Sequence, residues 1–331
     1  MEYQDTFNPE GEPTPYIEHR IDTGNAPPVA TTPYRMSSAR QEILKKELKS
    51  LLDFGIIEEC DSPYVSPEVL IPKPNGEFRL CVDYRKLNAV TKSDPYPLPR
   101  MDDLLHKTSE TKYMSAIDLK AEYHQVKMYT LDMDKTAFVC PFGVYRLTRM
   151  PFGLKTASAT FQRLIDLFRN GLKVNTLVYL DDIIIMSSTF EQYLEDLCLV
   201  FKRLKQFKLQ ANREKCHFMY QKVKYLEHLI TRSDIEVDPV KVLAIMDIPP
   251  PKNVKQIQSS LQTCGWYRRF NPNFAGVAKP LSTLTRKLAT WAWSSEEQNN
   301  FDTLKKSLIS PPVLKQLNEN KLFILRTDAS A

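Results

Sequence analysis

The most constraining stretch of this chain is Leu177-Val178-Tyr179-Leu180-Asp181-Asp182-Ile183-Ile184-Ile185-Met186. Two adjacent carboxylates interrupt two apolar runs rich in β-branched residues. Runs of this kind predict strands, which puts Asp181 and Asp182 at the tip of a hairpin. Two unpaired charges in an otherwise buried hairpin cost free energy unless something compensates them. A divalent ion is the natural compensator, because hard cations take carboxylate oxygens. The plain alternative is an Asp-containing hairpin turn, which needs no ion. The rest of the chain has to decide between the two.

With 331 residues the chain can build two or three compact units with a sizeable core. A net charge of +5 is compatible with a nucleic-acid partner without requiring one. No apolar run reaches the roughly 20 residues of a helical membrane span, and no membrane partner is expected. The start, Met1-Glu2-Tyr3-Gln4-Asp5, shows no signal-peptide pattern. Cysteines 60, 81, 140, 198, 216 and 264 are scattered, with no C-x-x-C pair. Reduced thiols and a cytoplasmic or nuclear location are expected. Cys216-His217 is too isolated for a zinc site.

Residues 1–35 read as an extended N-terminal arm. Within it, Asp22-Thr23-Gly24 matches the aspartic-protease tripeptide, but it runs into Asn25-Ala26-Pro27-Pro28 with no flanking strand, so it reads as a turn. Ser37 or Ser38 caps a helix carrying Ile43, Leu44, Leu48, Leu51 and Leu52, and Gly55 stops it. Short strands are predicted at 69–71 and 78–84 around a turn at 72–76. Asp94-Pro95-Tyr96-Pro97-Leu98-Pro99 cannot start a helix. Further expectations are a strand at 113–119, a strand pair near 136–148, helices at 156–169 and 190–208, and a β segment near 216–230. The second of these helices sets Leu194, Leu197, Phe201 and Leu204 on one face. From Asp238-Pro239 the pattern is helical, with segments to Ile245, at 253–270 and at 294–309. The last opens with a capping box, Ser294-x-x-Glu297. A final strand, Leu322 to Leu325, runs into Thr327-Asp328-Ala329-Ser330.

Asp118 ends the alternating strand Met114-Ser115-Ala116-Ile117-Asp118, about 60 residues before Asp181. A strand ending in Asp followed by a hairpin presenting Asp-Asp suits a two-metal site for phosphoryl transfer. The matching segments extend over most of the chain. They are His19-Arg20-Ile21-Asp22-Thr23-Gly24, Gly55-Ile56-Ile57 with Ser62-Pro63-Tyr64, Phe78-Arg79-Leu80-Cys81-Val82-Asp83-Tyr84-Arg85-Lys86-Leu87-Asn88 and Tyr96-Pro97-Leu98-Pro99-Arg100. Then come Asp118-Leu119-Lys120 with Tyr123-His124-Gln125, Met150-Pro151-Phe152-Gly153-Leu154-Lys155, Phe161-Gln162, Tyr179-Leu180-Asp181-Asp182, Gly265-Trp266-Tyr267-Arg268-Arg269-Phe270 and Thr327-Asp328-Ala329-Ser330. In this order the chain resembles the reverse transcriptase region of the Pol polyprotein of gypsy-like long-terminal-repeat retrotransposons.

The resemblance implies an α+β right-hand polymerase fold. Fingers and palm would occupy 36–236, a thumb-like helical segment 237–290, and a connection with the start of a truncated ribonuclease H domain 291–331. It implies an RNA-directed DNA polymerase acting on an RNA or DNA template, a primer strand and deoxynucleoside triphosphates. Protease, ribonuclease H and integrase would be its Pol neighbours, and a virus-like particle an alternative location. Asp118, Asp181 and Asp182 would be catalytic and hold two magnesium ions, with manganese as the alternative. Lys73 and Arg79 would face the triphosphate. Tyr123 would lie under the sugar and exclude a 2′-hydroxyl by bulk, and Phe152 and Gly153 would line the nucleotide pocket. Gln162 would follow the template. Tyr225 and Leu226 would support the primer end, and Arg268 and Arg269 would contact the duplex. Simpler readings stay open: Tyr123 as core, Arg79 as a strand charge, Gln162 as a helix face, and 266–270 as buried rings with solvated arginines. Asp328 would match the first metal carboxylate of ribonuclease H, whose partners are absent, so no ribonuclease activity is expected.

Several residues depart from the resembled pattern. Glu122 and Glu227 stand where glycines are usual. Each like-charge contact at about 4 Å costs ~1 kcal/mol in water and ~4 at a protein surface; the plain alternative is that both side chains point into solvent and cost little. Thr156 and Ser158 replace Asn and Pro, Glu68 falls at an apolar strand position, and Gln262-Thr263-Cys264 replaces a small-residue face. The alternative function is therefore an impaired remnant that binds nucleic acid without efficient polymerisation.

Overall fold

The computed structural model describes residues 3–8, 11–72, 76, 78–99, 111–226, 228–231, 234–271, 273–287, 289–308 and 314–315. The positions expected at Lys73, Glu227, Asp328 and the 322–325 strand lie outside them. The chain divides into two compact units. The first comprises Met1–Pro99, Ile117–Ile185 and Glu191–Cys216; the second comprises Arg100–Ala116, Met186–Phe190 and His217–Ala331.

Unit 1 opens with β1 (Thr14–His19) and α1 (Ser38–Asp53). Gly55 ends α1 with a φ of 60°, a left-handed turn glycine accepts freely. Next come β2 (Ile57–Glu59), β3 (Ser66–Pro72), β4 (Phe78–Val82) and the short α2 (Arg85–Val90). β5 (Tyr113–Asp118) enters unit 1 only with its last two residues. β6 (Val126–Met128), β7 (Phe138–Cys140) and β8 (Gly143–Leu147) follow. One sheet runs β2-β8-β7-β3-β4. Its inner face packs Leu70, Phe138, Cys140 and Leu147 against Leu44 and Leu48 of α1.

The second core of unit 1 surrounds α3 (Ala157–Arg169), β9 (Thr176–Tyr179), β10 (Asp182–Ser187) and α4 (Phe190–Phe207). Phe161, Leu164, Ile165 and Phe168 form the buried face of α3 at helical spacing. Each such side chain contributes roughly 1.5–3 kcal/mol on burial. Leu177, Val178, Ile183, Ile184 and Ile185 are 0–1% exposed, so the hairpin is covered on both faces and its sequence cannot alternate. On α4 the inward face holds Tyr193, Val200, Phe201, Leu204 and Phe207, while Leu194 is 50% exposed. The expected register holds from Leu197, partly buried against the core, onward and fails at Leu194, where the ring of Tyr193 is buried instead.

The N-terminal segment is extended but built in, not a free arm. β1 pairs with β6, and His19 and Ile21 are fully buried. Tyr16 stacks on Phe207 at 4.0 Å, and the Thr6 carbonyl accepts from Ala211 N–H at 2.8 Å. Asp22-Thr23-Gly24 is a turn: Asp22 accepts from Gly24 N–H at 2.8 Å and pairs with Lys92 at 2.8 Å. The Lys92 bond holds the Asp22 carboxyl below its usual range, the reverse of a proton-sharing protease pair.

In unit 2 the first residues of β5 pair with β11 (His217–Tyr220). β12 (Val223–Tyr225), β13 (His228–Ile230) and β14 (Asp234–Val237) form an antiparallel sheet. Helices α5 (Pro239–Met246), α6 (Val254–Trp266), α7 (Phe274–Thr283) and α8 (Ser295–Lys306) follow, and β15 (Leu314–Lys315) pairs with β14. Residues 217–237 cluster with these helices, and His228 packs on the rings of Tyr267 and Phe270 at 5.5 and 5.7 Å. No helix among the described residues is long and apolar enough to cross a membrane.

Candidate active site

The hairpin register pairs Tyr179 with Asp182, which leaves Leu180 and Asp181 as a two-residue loop. Leu180 has a φ of 50°, a left-handed conformation that costs an L-residue about 1–2 kcal/mol. Ala121 (43°) and Leu226 (48°) take the same conformation, as do Lys208, Met219 and Asn273, so it is not confined to the site.

Asp118 is carried to the hairpin by the end of β5. The N–H of Leu119 donates to the Asp181 carbonyl at 2.9 Å, and the Asp118 carbonyl accepts from Asn212 N–H at 2.8 Å. The three half-buried carboxylates therefore share one corner. Burial pushes the Asp182 carboxyl up to about 6, with Asp181 and Asp118 adding to it. Asp181 is raised by burial first and then by Asp118. A fourth acid joins them: Glu122 is pushed up to about 7 by burial, then by Asp181 and Asp118. The opposing charge is Lys215, whose Nζ lies 3.2 Å from Asp118 Oδ2. Lys215 has no motif around it, and sequence reasoning missed it.

This corner is short of positive charge, and its donors are the oxygens a hard divalent ion prefers. Among the described residues no three His, Cys, Asp or Glu side chains already stand close enough to hold an ion. The donor chemistry fits a divalent metal.

Beside the carboxylates, Tyr123 packs on Phe152 at 5.1 Å and edge-on to Phe161 at 5.8 Å. Arg79 is exposed and sits 5.6 Å over the Phe152 ring. Gly153 has a φ of 89° and accepts from Asn88 Nδ2 at 2.8 Å through its carbonyl. Four of the five expected nucleotide residues are thus together, and the fifth is Lys73. Gln162 differs from its expected place. It is 0% exposed and donates to Asp166 at 3.2 Å, so it braces α3 instead of facing a template. Tyr225 is likewise buried, and Leu226 carries the turn after it. In 266–270, Tyr267 and Phe270 are buried, Trp266 is 50% exposed, Arg268 is exposed and Arg269 is half-buried.

Residues 71–230 match the family model for reverse transcriptase (RNA-dependent DNA polymerase), and 293–331 match that for an RNase H-like domain found in reverse transcriptase. The chain is 37% identical over 321 residues to the retrovirus-related Pol polyprotein from transposon 297 of Drosophila melanogaster, covering 95% of this chain and 30% of that protein. It is 37% identical over 331 residues to that from transposon opus of the same organism, covering 95% and 33%. It is 31% identical over 298 residues to the transposon Tf2-3 polyprotein of Schizosaccharomyces pombe, covering 90% and 22%. The chain thus spans about a third or less of these relatives' length. Among solved structures, the foamy viral protease-reverse transcriptase in complex with dsDNA superposes with a TM-score of 0.87 at 24% identity, covering 96% of this chain and 68% of that one. The same protein in complex with RNA/DNA hybrid gives 0.82 at 24%, covering 95% and 43%. The fold is that of a reverse transcriptase, and the chain belongs to the reverse transcriptases of retrotransposon Pol polyproteins.

Proposed function

We propose that this chain is an RNA-directed DNA polymerase, adding deoxynucleotides to a primer 3′ end by two-metal phosphoryl transfer. The observation that carries the reading is the convergence of Asp118, Asp181 and Asp182, joined through the Leu119–Asp181 backbone bond and each half-buried. Asp118, Asp181 and Asp182 would hold two divalent ions, magnesium first and manganese as the alternative. Bound there, the ions supply the positive charge that stabilises the attacking 3′ oxygen and the departing pyrophosphate. The protein's own work is positioning. Arg79, exposed above Phe152, offers a fork of donors to phosphate oxygens. Tyr123 presents a ring to the sugar, and Arg268 with Trp266 offers charge and stacking to the template–primer duplex. Protease, ribonuclease H and integrase are the proposed Pol neighbours, and the cytoplasm or a virus-like particle the proposed site of action.

The test is primer extension on an RNA template with deoxynucleotides and magnesium. The parent should form product, and Asp181→Asn should lose it by roughly 10²- to 10³-fold or more. Equal product from both, or duplex binding without extension in the parent, defeats the proposal. The latter outcome is the one the binding-remnant reading requires.

A further inference from the structure

Glu122 precedes Tyr123, and both Glu122 and Asp181 act on its phenol. Its ring packs on Phe152, which lies under Arg79. In the polymerase reading above, this ring is the one presented to the sugar of the incoming nucleotide. Phe152 and Phe161 support the ring. Neither fixes its tip.

The tip is fixed by Ser158. Tyr123 Oη and Ser158 Oγ lie 3.0 Å apart, one hydroxyl donating to the other. Ser158 is the second residue of α3, where its hydroxyl is not the one that caps the helix. Burial raises the phenol's pKa and the Ser158 bond pulls it down, so the group stays a neutral donor or acceptor at physiological pH. The family pattern leads one to expect proline at 158, which has no hydroxyl to offer. A ring excludes a substituent by bulk only to the extent that the ring is held still. With aromatic contacts alone, Tyr123 could rock about its side-chain bonds. With its tip tied to a helix, that motion is restrained.

We propose that Ser158 is a positioning residue for sugar selection: by holding the Tyr123 hydroxyl, it fixes the ring that tests the 2′ position of the incoming nucleotide. This rests on the polymerase reading above and adds to it the residue that sets how strictly ribonucleotides are refused.

The experiment compares single-nucleotide addition of dGTP and GTP by the parent, Ser158→Ala, Ser158→Thr, Tyr123→Phe and the Ser158→Ala/Tyr123→Phe double variant. The readout is kcat/KM for dGTP divided by that for GTP. Ser158→Ala should lower this ratio by about 2- to 10-fold, the effect of one neutral hydrogen bond, through a lower KM for GTP. Tyr123→Phe keeps the bulk, loses the bond and should match it. The double variant should be no worse than either single one, because both remove the same bond. Ser158→Thr keeps a hydroxyl and should keep the ratio. A merely structural role would slow both sugars alike and leave the ratio unchanged, and that result overturns the proposal. Effects that multiply in the double variant overturn it too. The same ratio is measured by equilibrium binding of dGTP and GTP to the full chain on a chain-terminated primer–template. If the parent extends no primer, the polymerase reading falls, and the binding ratio decides alone: a drop in Ser158→Ala supports the proposal, and an unchanged ratio overturns it.

Discussion

Two of the places where unit 1 takes carboxylates out of water behave differently. At the hairpin corner Asp181, Asp182 and Glu122 sit together with Asp118, raised by burial and by one another and opposed by Lys215. In β3, Glu68 stands alone. It is 1% exposed, opposite Val82 in the β4 register, on the face it shares with Leu70 and the α1 core. Among the described residues neither of its oxygens has a hydrogen-bond partner, and burial raises its pKa. Dehydration is common to both places. A cluster cannot neutralise every member without losing its chemistry, so it keeps a demand for cations. A lone acid escapes by taking up a proton, and what remains is a defect in packing. The site is marked by several acids sharing one field, and burial of an acid alone does not mark one.

The sharpest way to break this contrast is to remove one acid from each place. Asp118→Asn should cut primer extension by about 10³-fold while leaving thermal stability unchanged or slightly higher, because it relieves like-charge repulsion. Glu68→Val should do the reverse, leaving extension near the parent rate and raising stability by roughly 1–3 kcal/mol near pH 8. Thermal denaturation and extension assays on the same preparations decide. A large loss of stability in Asp118→Asn would mean that the corner is structural. The Glu68 gain also has a pH signature. Its folded-state pKa lies above the ordinary 4.5, so the folded chain holds a proton that the unfolded chain has released. Stability is then lost as pH rises from about 4.5 through the folded-state value. The advantage of Glu68→Val should therefore be smallest near pH 4, grow as pH rises through the folded-state value and level off above it. A gain independent of pH would mean that Glu68 reaches water or a partner.

What the sequence made legible follows the range of the interaction behind each feature. Local signals held. The capping box at Ser294–Glu297 is present, with Glu297 accepting from Ser294 N–H at 2.9 Å, and Asp238 caps α5 through Val240 N–H at 3.0 Å. The hairpin at 179–182 was readable from its apolar runs alone. Features decided by distant partners were not. β1 has a sequence without apolar periodicity and becomes a strand only because β6 lies beside it. α7 went unseen because Pro280 sits inside it. Its place is fixed by packing on its neighbours, not by local propensity. Tyr193 displaced Leu194 from the α4 interior for the same reason. At the site, the aspartates and the Tyr123–Phe152–Arg79 group could be picked from motifs. Lys215 and the Ser158 contact could not, since each matters only through a residue tens of positions away in the chain.

Two smaller effects would sharpen the picture of the corner itself. Lys215 is largely exposed, so its pairing with Asp118 is weak and easily displaced. Lys215→Ala should tighten binding of manganese, followed by its paramagnetic signal, by about 2- to 5-fold, since an ion no longer competes with the ammonium. Weaker binding would mean that Lys215 orients Asp118 for the metal instead. Glu122 should give the smallest change. Its pKa of about 7 leaves it neutral in mildly acidic solution, so the repulsion expected of a glutamate next to a triphosphate is largely absent there. Bound cations would relieve the like-charge part of that shift while burial remains, which moves the transition somewhat below 7. Glu122→Gln should thus match the parent at pH 5.5 and exceed it by about 2- to 5-fold in kcat/KM for the nucleotide at pH 8.5, the effect of ~1 kcal/mol or less. A slower Glu122→Gln at high pH would reverse the argument, because the fourth carboxylate would then be assisting the reaction instead of hindering it.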